Sequence, residues 1–199
     1  MISLSDALRS QFPLDRRRIL NRPKRAAVLV PLIEDESEPR LILTRRASTL
    51  SSHQGEVAFP GGMYDHQDED LIQTALREAY EEVDLYPDQV EILGLLDDMI
   101  PKSERVAVTP VVGLITHPPV LKANPAEVDR IFEIPISALL DQKQWRSQIT
   151  LWRGRQWSIY YFDYDGETLW GLSAYIVLSL LECTPYGSPF KLESIPSRL

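Results

Sequence analysis

Between residues 69 and 83 the apolar side chains Ile72, Ala75, Leu76, Ala79 and Val83 recur at three- and four-residue steps. At 3.6 residues per turn they form one stripe, which predicts an amphipathic helix that must bury one face against a second layer. Asp68, Glu69 and Asp70 stand at its start, where acids suit the positive end of the helix dipole. The partner layer is legible too. Residues 26–33 are a continuous apolar run, as expected of a buried strand, and residues 40–44 follow an acidic, proline-containing turn as the second arm of a hairpin. Residues 90–96, 106–115 and 149–162 read as further strands, and residues 135–141 and 172–182 as further helices. Residues 45–62 read mostly as loop. Hairpin-like and helix-separated strands both occur, which implies an α/β (α+β) chain with a mixed sheet. A length of 199 residues suits one domain, residues 1–199, with a short helix and the basic linker Arg16-Arg17-Arg18 as an N-terminal extension over about residues 1–22.

The same helix concentrates charge. Residues 51–100 carry 13 acidic and 1 basic side chain, against 6 acidic and 10 basic in residues 1–50. At about 100° per residue, Glu78, Glu81 and Glu82 fall within an arc of roughly 100°. That arc lies opposite the apolar stripe, on the side away from the core. Glu78 and Glu82 form an i,i+4 like-charge pair, which costs a few tenths of a kcal/mol in an isolated helix. Within one turn only Arg77 offers compensation, chiefly to Glu81. A solvated acidic face is the ordinary meaning of such a cluster. Here Phe59-Pro60-Gly61-Gly62 precedes the helix, and two adjacent glycines allow a tight loop and close backbone approach to phosphate. Carboxylates on a fixed face suit Mg²⁺ or Mn²⁺, which neutralise and orient a phosphate substrate and acidify a bound water.

Other classes are excluded or unsupported. No apolar run approaches the ~20 residues needed to span a bilayer, and residues 1–18 do not read as a secretory signal. Cys183 is the only cysteine, so neither an intrachain disulfide nor a cysteine zinc site can form. A reducing, cytoplasmic setting is the default, with Ser197-Arg198-Leu199 similar to a peroxisomal address should the source be eukaryotic. The net charge of −8 and the shortness of the basic stretch speak against nucleic acid as a partner.

The segment from Gly62 to Leu85 resembles the signature box of the Nudix hydrolase superfamily: a glycine, an acid, then Arg-Glu-(apolar)-x-Glu-Glu-x-Gly-(apolar). The matching positions are Gly62, Glu69, Arg77, Glu78, Ala79, Glu81, Glu82 and Leu85. Using Glu69 needs one extra loop residue, whereas Asp68 fills the acid position at the usual spacing. Asp84 replaces the glycine, and aspartate tolerates a left-handed backbone better than most residues. Upstream, Ile42-Leu43-Thr44-Arg45-Arg46-Ala47, Gly55 and Phe59-Pro60-Gly61-Gly62 are similar to the second signature of the coenzyme A pyrophosphatase subgroup, with Ser51 where that pattern has an arginine.

This resemblance implies a Nudix fold, a mixed sheet sandwiched between helices. It implies a metal-dependent pyrophosphatase that cleaves coenzyme A or its derivatives to 3′,5′-ADP and 4′-phosphopantetheine. Other nucleoside diphosphate derivatives such as ADP-ribose or NADH are the alternative substrates, and a non-catalytic nucleotide sensor is the alternative class. Glu78, Glu81 and Glu82 become the metal ligands, with Glu78 doubling as base and Arg77 orienting them, Glu69 being its expected partner. Glu127 is either an extra carboxylate from a late loop or, with Asn124 or Pro125 marking a turn, the acid at a helix N-terminus. Arg45, Arg46, His53, Gly61 and Gly62 are the candidate substrate contacts, while Lys102 and Arg105 read as surface charge. Trp145, Trp152, Trp157 and Trp170, with Tyr160 and Tyr161, fit a core better than a base-stacking platform. Many members of the superfamily are dimers, so a homodimer is an expectation of the resemblance.

Overall fold

The computed structural model describes residues 4–11, 18–35, 38–101, 105–152, 154–190 and 192. Its spine is a parallel pair, β1 (Lys24–Ile33) and β6 (Val106–Ile115), in unbroken register from Lys24↔Val106 to Ile33↔Ile115. Neither strand alternates apolar with polar, because both faces of this pair are covered. β5 (Glu91–Leu95) adds antiparallel to β6. On its other edge β1 is shared. Its first half takes β4 (Gly61–Met63), through Ala26↔Met63 and Val28↔Gly61, and its end takes β2 (Arg40–Arg46), through Leu32↔Leu41 and Ile33↔Arg40. β2 then pairs antiparallel with β3 (Val57–Ala58) and with β7 (Val128–Pro135), completing a mixed seven-stranded sheet. The expected hairpin is present but paired only near its turn, since β4 occupies the rest of the β1 edge.

One face of this sheet carries α2 (Leu71–Val83). Leu71, Ala75, Ala79 and Val83 are buried against Ala27, Leu29, Ile33, Ile42 and Val111, while Ile72 and Leu76 are partly buried at the margin. The apolar stripe therefore does what its period predicts; a fully buried aliphatic side chain contributes about 1.5–3 kcal/mol. The opposite face carries α4 (Gly171–Glu182) and a second sheet, β8 (Trp145–Trp152), β9 (Arg155–Tyr164) and β10 (Glu167–Trp170). Trp145, Phe162, Leu169, Ile176, Val177 and Leu180 pack there on Val30, Leu32, Leu41 and Leu43. α1 (Leu4–Gln11) buries Leu8 in the same cluster and bonds Arg9 to Glu91 at 2.9 Å. The short α3 (Ile136–Leu140) follows β7.

Three expectations need correction. Residues 149–162 are not one strand but parts of a hairpin, β8 and β9, which turns at Gly154 with φ +76 and pairs from Trp145↔Phe162 to Trp152↔Arg155. Residues 45–62 contain β3 and contribute to β4, strands too short to show a period. β7 was not expected, because Asp129, Arg130 and Glu133 interrupt its apolar residues, and it is stabilised by pairing with β2 along its length. Arg16, Arg17, Lys102 and Ser197-Arg198-Leu199 lie outside the described residues. No helix among the described residues is long and apolar enough to cross a membrane.

Candidate active site

The ends of α2 are set by local chemistry. Asp70 is the N-cap, accepting from the Gln73 amide at 2.9 Å, so the helix begins at Leu71, two residues later than its acidic start predicts. At the other end Asp84 adopts φ 60, ψ 30, and its amide donates to the Ala79 and Tyr80 carbonyls. Aspartate thus takes the left-handed turn that glycine commonly supplies. The carbonyls of the last turn are met by a loop distant in sequence: the Lys122 amide donates to Val83 at 3.0 Å and the Asn124 amide to Glu82 at 2.9 Å. Asn124 Nδ2 adds a bond to the Glu81 carbonyl at 3.3 Å. That docking brings Glu127, in the turn closed by its amide to Asn124 O at 3.0 Å, up to the acidic face.

The three glutamates of this face do not share one environment. Glu81 is exposed and Glu78 half-buried, but the Glu82 side chain is only 4% exposed. Position opposite the stripe implies a cluster turned to open solvent; Glu81 is so turned, but Glu82 is not, because β4 and Arg46 at the end of β2 cover it. The Gly61 amide donates to Glu82 Oε2 at 3.3 Å, and Arg46 Nη1 lies 3.7 Å from Glu82 Oε1. Burial pushes the Glu82 carboxyl up to about 8, Arg46 and the Gly61 amide oppose it, and Glu78 and Glu127 push further up. Glu78 is also raised, by burial first, with Arg77 opposing and Glu81 and Glu127 adding to the shift.

Arg77 organises the rest. Its Nη1 donates to Glu78 Oε1 at 2.9 Å and to Glu81 Oε2 at 3.1 Å. Its Nε and Nη2 grip the two oxygens of Asp68 at 2.9 and 3.1 Å, and Nη2 also reaches the Met63 carbonyl at 3.2 Å. The acid that partners Arg77 is thus Asp68, not Glu69, as five-residue spacing from Gly62 predicts. Asp68 is buried and also accepts from Thr74 Oγ1 at 2.8 Å and the Asp65 amide at 3.1 Å. Arg77 above all, with help from these donors, holds its carboxyl at about 2. Glu69 instead starts the loop-to-helix turn, its amide bonded to the Gln73 side chain.

The two glycines answer to packing. A Cβ on Gly61 would stand 2.4 Å from the Ala27 carbonyl oxygen, and one on Gly62 would stand 2.4 Å from the Glu78 carboxylate. They let β4 lie against β1 and under Glu78. Arg46, Gly61, Gly62, Arg77, Glu78, Glu81, Glu82 and Glu127 are therefore brought together. Arg45 turns instead to buried Glu167 of β10 at 2.9 Å, an acid it shares with Arg130 at 2.9 Å. His53 sits in an exposed turn at φ 57, 2.9 Å from Glu56. Arg105 is exposed. Of the aromatics, Trp145 and Tyr160 are core, with Trp145 Nε1 donating to the Leu139 carbonyl at 2.9 Å; Trp170 is 38% exposed and stacks on Tyr161. The side chain of Trp152 lies outside the described residues. The contact of Arg46 with Glu82, and the pinning of Arg45 by Glu167, link segments far apart in the chain, and no spacing announces them.

The sequence profile of the NUDIX domain matches residues 23–153. The chain is 42% identical over 185 residues to Nudix hydrolase NudL of Photorhabdus laumondii, covering 92% of this chain and 98% of that one. It is 37% identical over 191 residues to the mitochondrial Nudix hydrolase 15 of Arabidopsis thaliana, covering 92% of this chain and 67% of that one. Among solved structures, a MutT/nudix family protein from Enterococcus faecalis superposes with a TM-score of 0.53 at 16% identity, over 84% of this chain and 64% of that one, a likeness of fold. The signature box on α2, the sheet that carries it and these relatives agree: the chain belongs to the Nudix family and is a hydrolase.

Proposed function

We propose that this hydrolase is a Mg²⁺- or Mn²⁺-dependent pyrophosphatase that cleaves the diphosphate of coenzyme A or its derivatives to 3′,5′-ADP and 4′-phosphopantetheine. The observation that carries the metal is Glu82. Its carboxylate is nearly sealed from water, yet among the described residues it has one 3.3 Å amide bond and one guanidinium at 3.7 Å for partners, with Glu78 and Glu127 repelling it. Hard oxygen donors so poorly compensated fit a divalent cation. Among the described residues no three His, Cys, Asp or Glu side chains form a ready-made cage. Mg²⁺ does not require one, since it is commonly held by one or two carboxylates, waters and substrate phosphates.

In this reading Glu78, Glu81 and Glu82 would hold the metal, which would supply charge neutralisation and an acidified water. Arg77, anchored by Asp68, keeps Glu78 and Glu81 in place, and Glu78 takes the proton. Glu127 adds negative charge from the loop that caps α2. Arg46, Gly61 and Gly62, which lie against Glu82 and Glu78, are the substrate contacts of this reading; Arg45 and His53 stand outside that cluster. Residues 1–199 act as one domain. Coenzyme A itself rests on the upstream signature, from Ile42 through Gly62. Ser51, exposed and in place of that pattern's arginine, favours ADP-ribose or NADH as the second reading.

The test is product identification by chromatography with Mg²⁺ or Mn²⁺ and, separately, coenzyme A, ADP-ribose and NADH, beside Glu82→Gln. Release of 3′,5′-ADP from coenzyme A, abolished in the variant, is the expected result. Cleavage of only the other two overturns the coenzyme A assignment and keeps the chemistry. Binding without cleavage of any of them overturns the enzyme mechanism in favour of a sensor.

A further inference from the structure

Two arginines serve the three glutamates of α2, and they are held very differently. Arg77 donates to Asp68 through two nitrogens, to Glu78, to Glu81 and to the Met63 carbonyl. Its guanidinium is locked, and moving it would take from the buried Asp68 carboxylate its charged partner. Among the described residues Arg46 makes one ion-pair contact, with Glu82 Oε1 at 3.7 Å, too long for a hydrogen bond. Its Nε is inaccessible to water and has no hydrogen-bond partner among the described residues. A buried donor without a partner costs about 1–3 kcal/mol, so this guanidinium gains by leaving the place it occupies.

The backbone beneath it is fixed. The Arg46 amide donates to the Glu56 carbonyl at 3.0 Å, and its carbonyl accepts from the Gly55 amide at 3.1 Å. Pairing of β2 with β7 shifts register between Arg45 and Arg46, the irregularity falling where the two side chains part. Arg45 is tied to Glu167 at 2.9 Å, while the Arg46 side chain keeps 25% exposure, an open way out toward solvent. The result is a firmly held main chain carrying a loosely held cation, set against a buried acid that it compensates poorly.

We propose that Arg46 is the exchangeable counter-ion of Glu82: a divalent cation takes its place on the carboxylate, and the released guanidinium turns to its solvent side, where an anionic phosphate is its next partner. A dication and a guanidinium competing for one carboxylate at close range repel each other strongly where water is scarce. Of the two arginines only Arg46 can yield. The inference rests on the reading of Glu82 as a metal ligand and goes beyond it by assigning the order of events. Metal entry and the freeing of a phosphate-binding arginine become one step, so the substrate side of the site is made ready only when the metal is in place.

The experiment measures metal directly, without substrate. Mn²⁺ binding to chelator-treated protein is titrated by the electron paramagnetic resonance of the free ion, for wild type, Arg46→Gln, Arg45→Gln and Glu82→Gln. Removing a competitor should tighten Mn²⁺ binding about three- to tenfold in Arg46→Gln, and by less than about twofold in Arg45→Gln, which removes equal charge without vacating Glu82. In parallel, the Nε–Hε resonance of Arg46 is followed in the wild type as diamagnetic Mg²⁺ is added. It should shift at saturation, and stay still in Glu82→Gln. This second readout needs no substitution at position 46, so a failure of Arg46→Gln to fold leaves it intact. Unchanged or weaker Mn²⁺ binding in Arg46→Gln, equal tightening in both arginine variants, or an Arg46 resonance indifferent to Mg²⁺ each overturn the exchange. If Glu82→Gln binds Mn²⁺ like the wild type, the metal reading itself falls, and the exchange with it.

Discussion

Asp68→Asn tests the support beneath the site. Asp68 has a side chain only 3% exposed, and its two oxygens receive Arg77 at 2.9 and 3.1 Å, Thr74 at 2.8 Å and the Asp65 amide at 3.1 Å. Its carboxyl lies at about 2 against an ordinary 3.8, Arg77 being the chief cause. That difference corresponds to about 2 kcal/mol in favour of the ionised folded state. Asparagine keeps the shape but presents an amide donor to a guanidinium that is itself all donor. Breaking a buried pair this way costs about 3–5 kcal/mol, and the 29% exposure of Arg77 lets water recover part of it, so about 2–3 kcal/mol is expected. The assay is urea unfolding of both proteins across pH. Because the folded-state pKa of Asp68 is depressed, its contribution is fully present above about 4 and is lost as pH falls toward 2. The gap between wild type and variant should therefore be widest near neutrality and close on acidification. A gap under about 0.5 kcal/mol at pH 7, the usual size of an inconsequential surface change, or one that does not narrow in acid, would refute the reasoning.

In the presence of chelator, Glu82→Gln should unfold at a higher temperature than the wild type, because it removes a buried, poorly paired carboxylate while keeping its shape; a lower midpoint contradicts the burial account. Gly62→Ala should cut turnover at least tenfold at a modest cost in stability, since its Cβ displaces only the movable end of Glu78. Gly61→Ala should instead cost about 2 kcal/mol or more of stability, because its Cβ meets the β1 backbone; similar behaviour of the two variants in urea unfolding and steady-state kinetics would count against this distinction. Asp84→Gly should raise stability by up to about 1 kcal/mol, and Asp84→Ala lower it, as the left-handed cap requires; the reverse order in thermal melts would reject that reading.

Much of the site was legible before any fold was known, and for definite reasons. Helical periodicity marked the buried stripe of α2, and the crowding of Glu78, Glu81 and Glu82 beside a single arginine marked the acidic face as the candidate site. The left-handed turn at Asp84 was implied by the resemblance, in which that position carries a glycine. Paired glycines before the helix signalled a close approach, though the partners turned out to be the β1 backbone and Glu78. Elsewhere periodicity failed for want of length or contrast. β3 and β4 span two and three residues, β7 carries charge within its run, and the β8–β9 turn has one glycine to announce it.

The amino-acid sequence by itself determined the helix, its two faces, its cap and the identity of the acids, because these depend on residues within a few turns of one another. Only the tertiary structure decided which of those acids is sealed from water. Glu82 is buried by Gly61 and Arg46, 21 and 36 positions away along the chain, and Glu127 reaches the cluster because a loop some 40 residues on satisfies the carbonyls at the end of α2. The choice of Asp68 over Glu69 likewise needed the path of the loop between β4 and α2. Desolvation and ion pairing act through space with no regard for sequence separation, so the property that sets Glu82 apart, a carboxyl short of partners where water is excluded, exists only once the chain has folded.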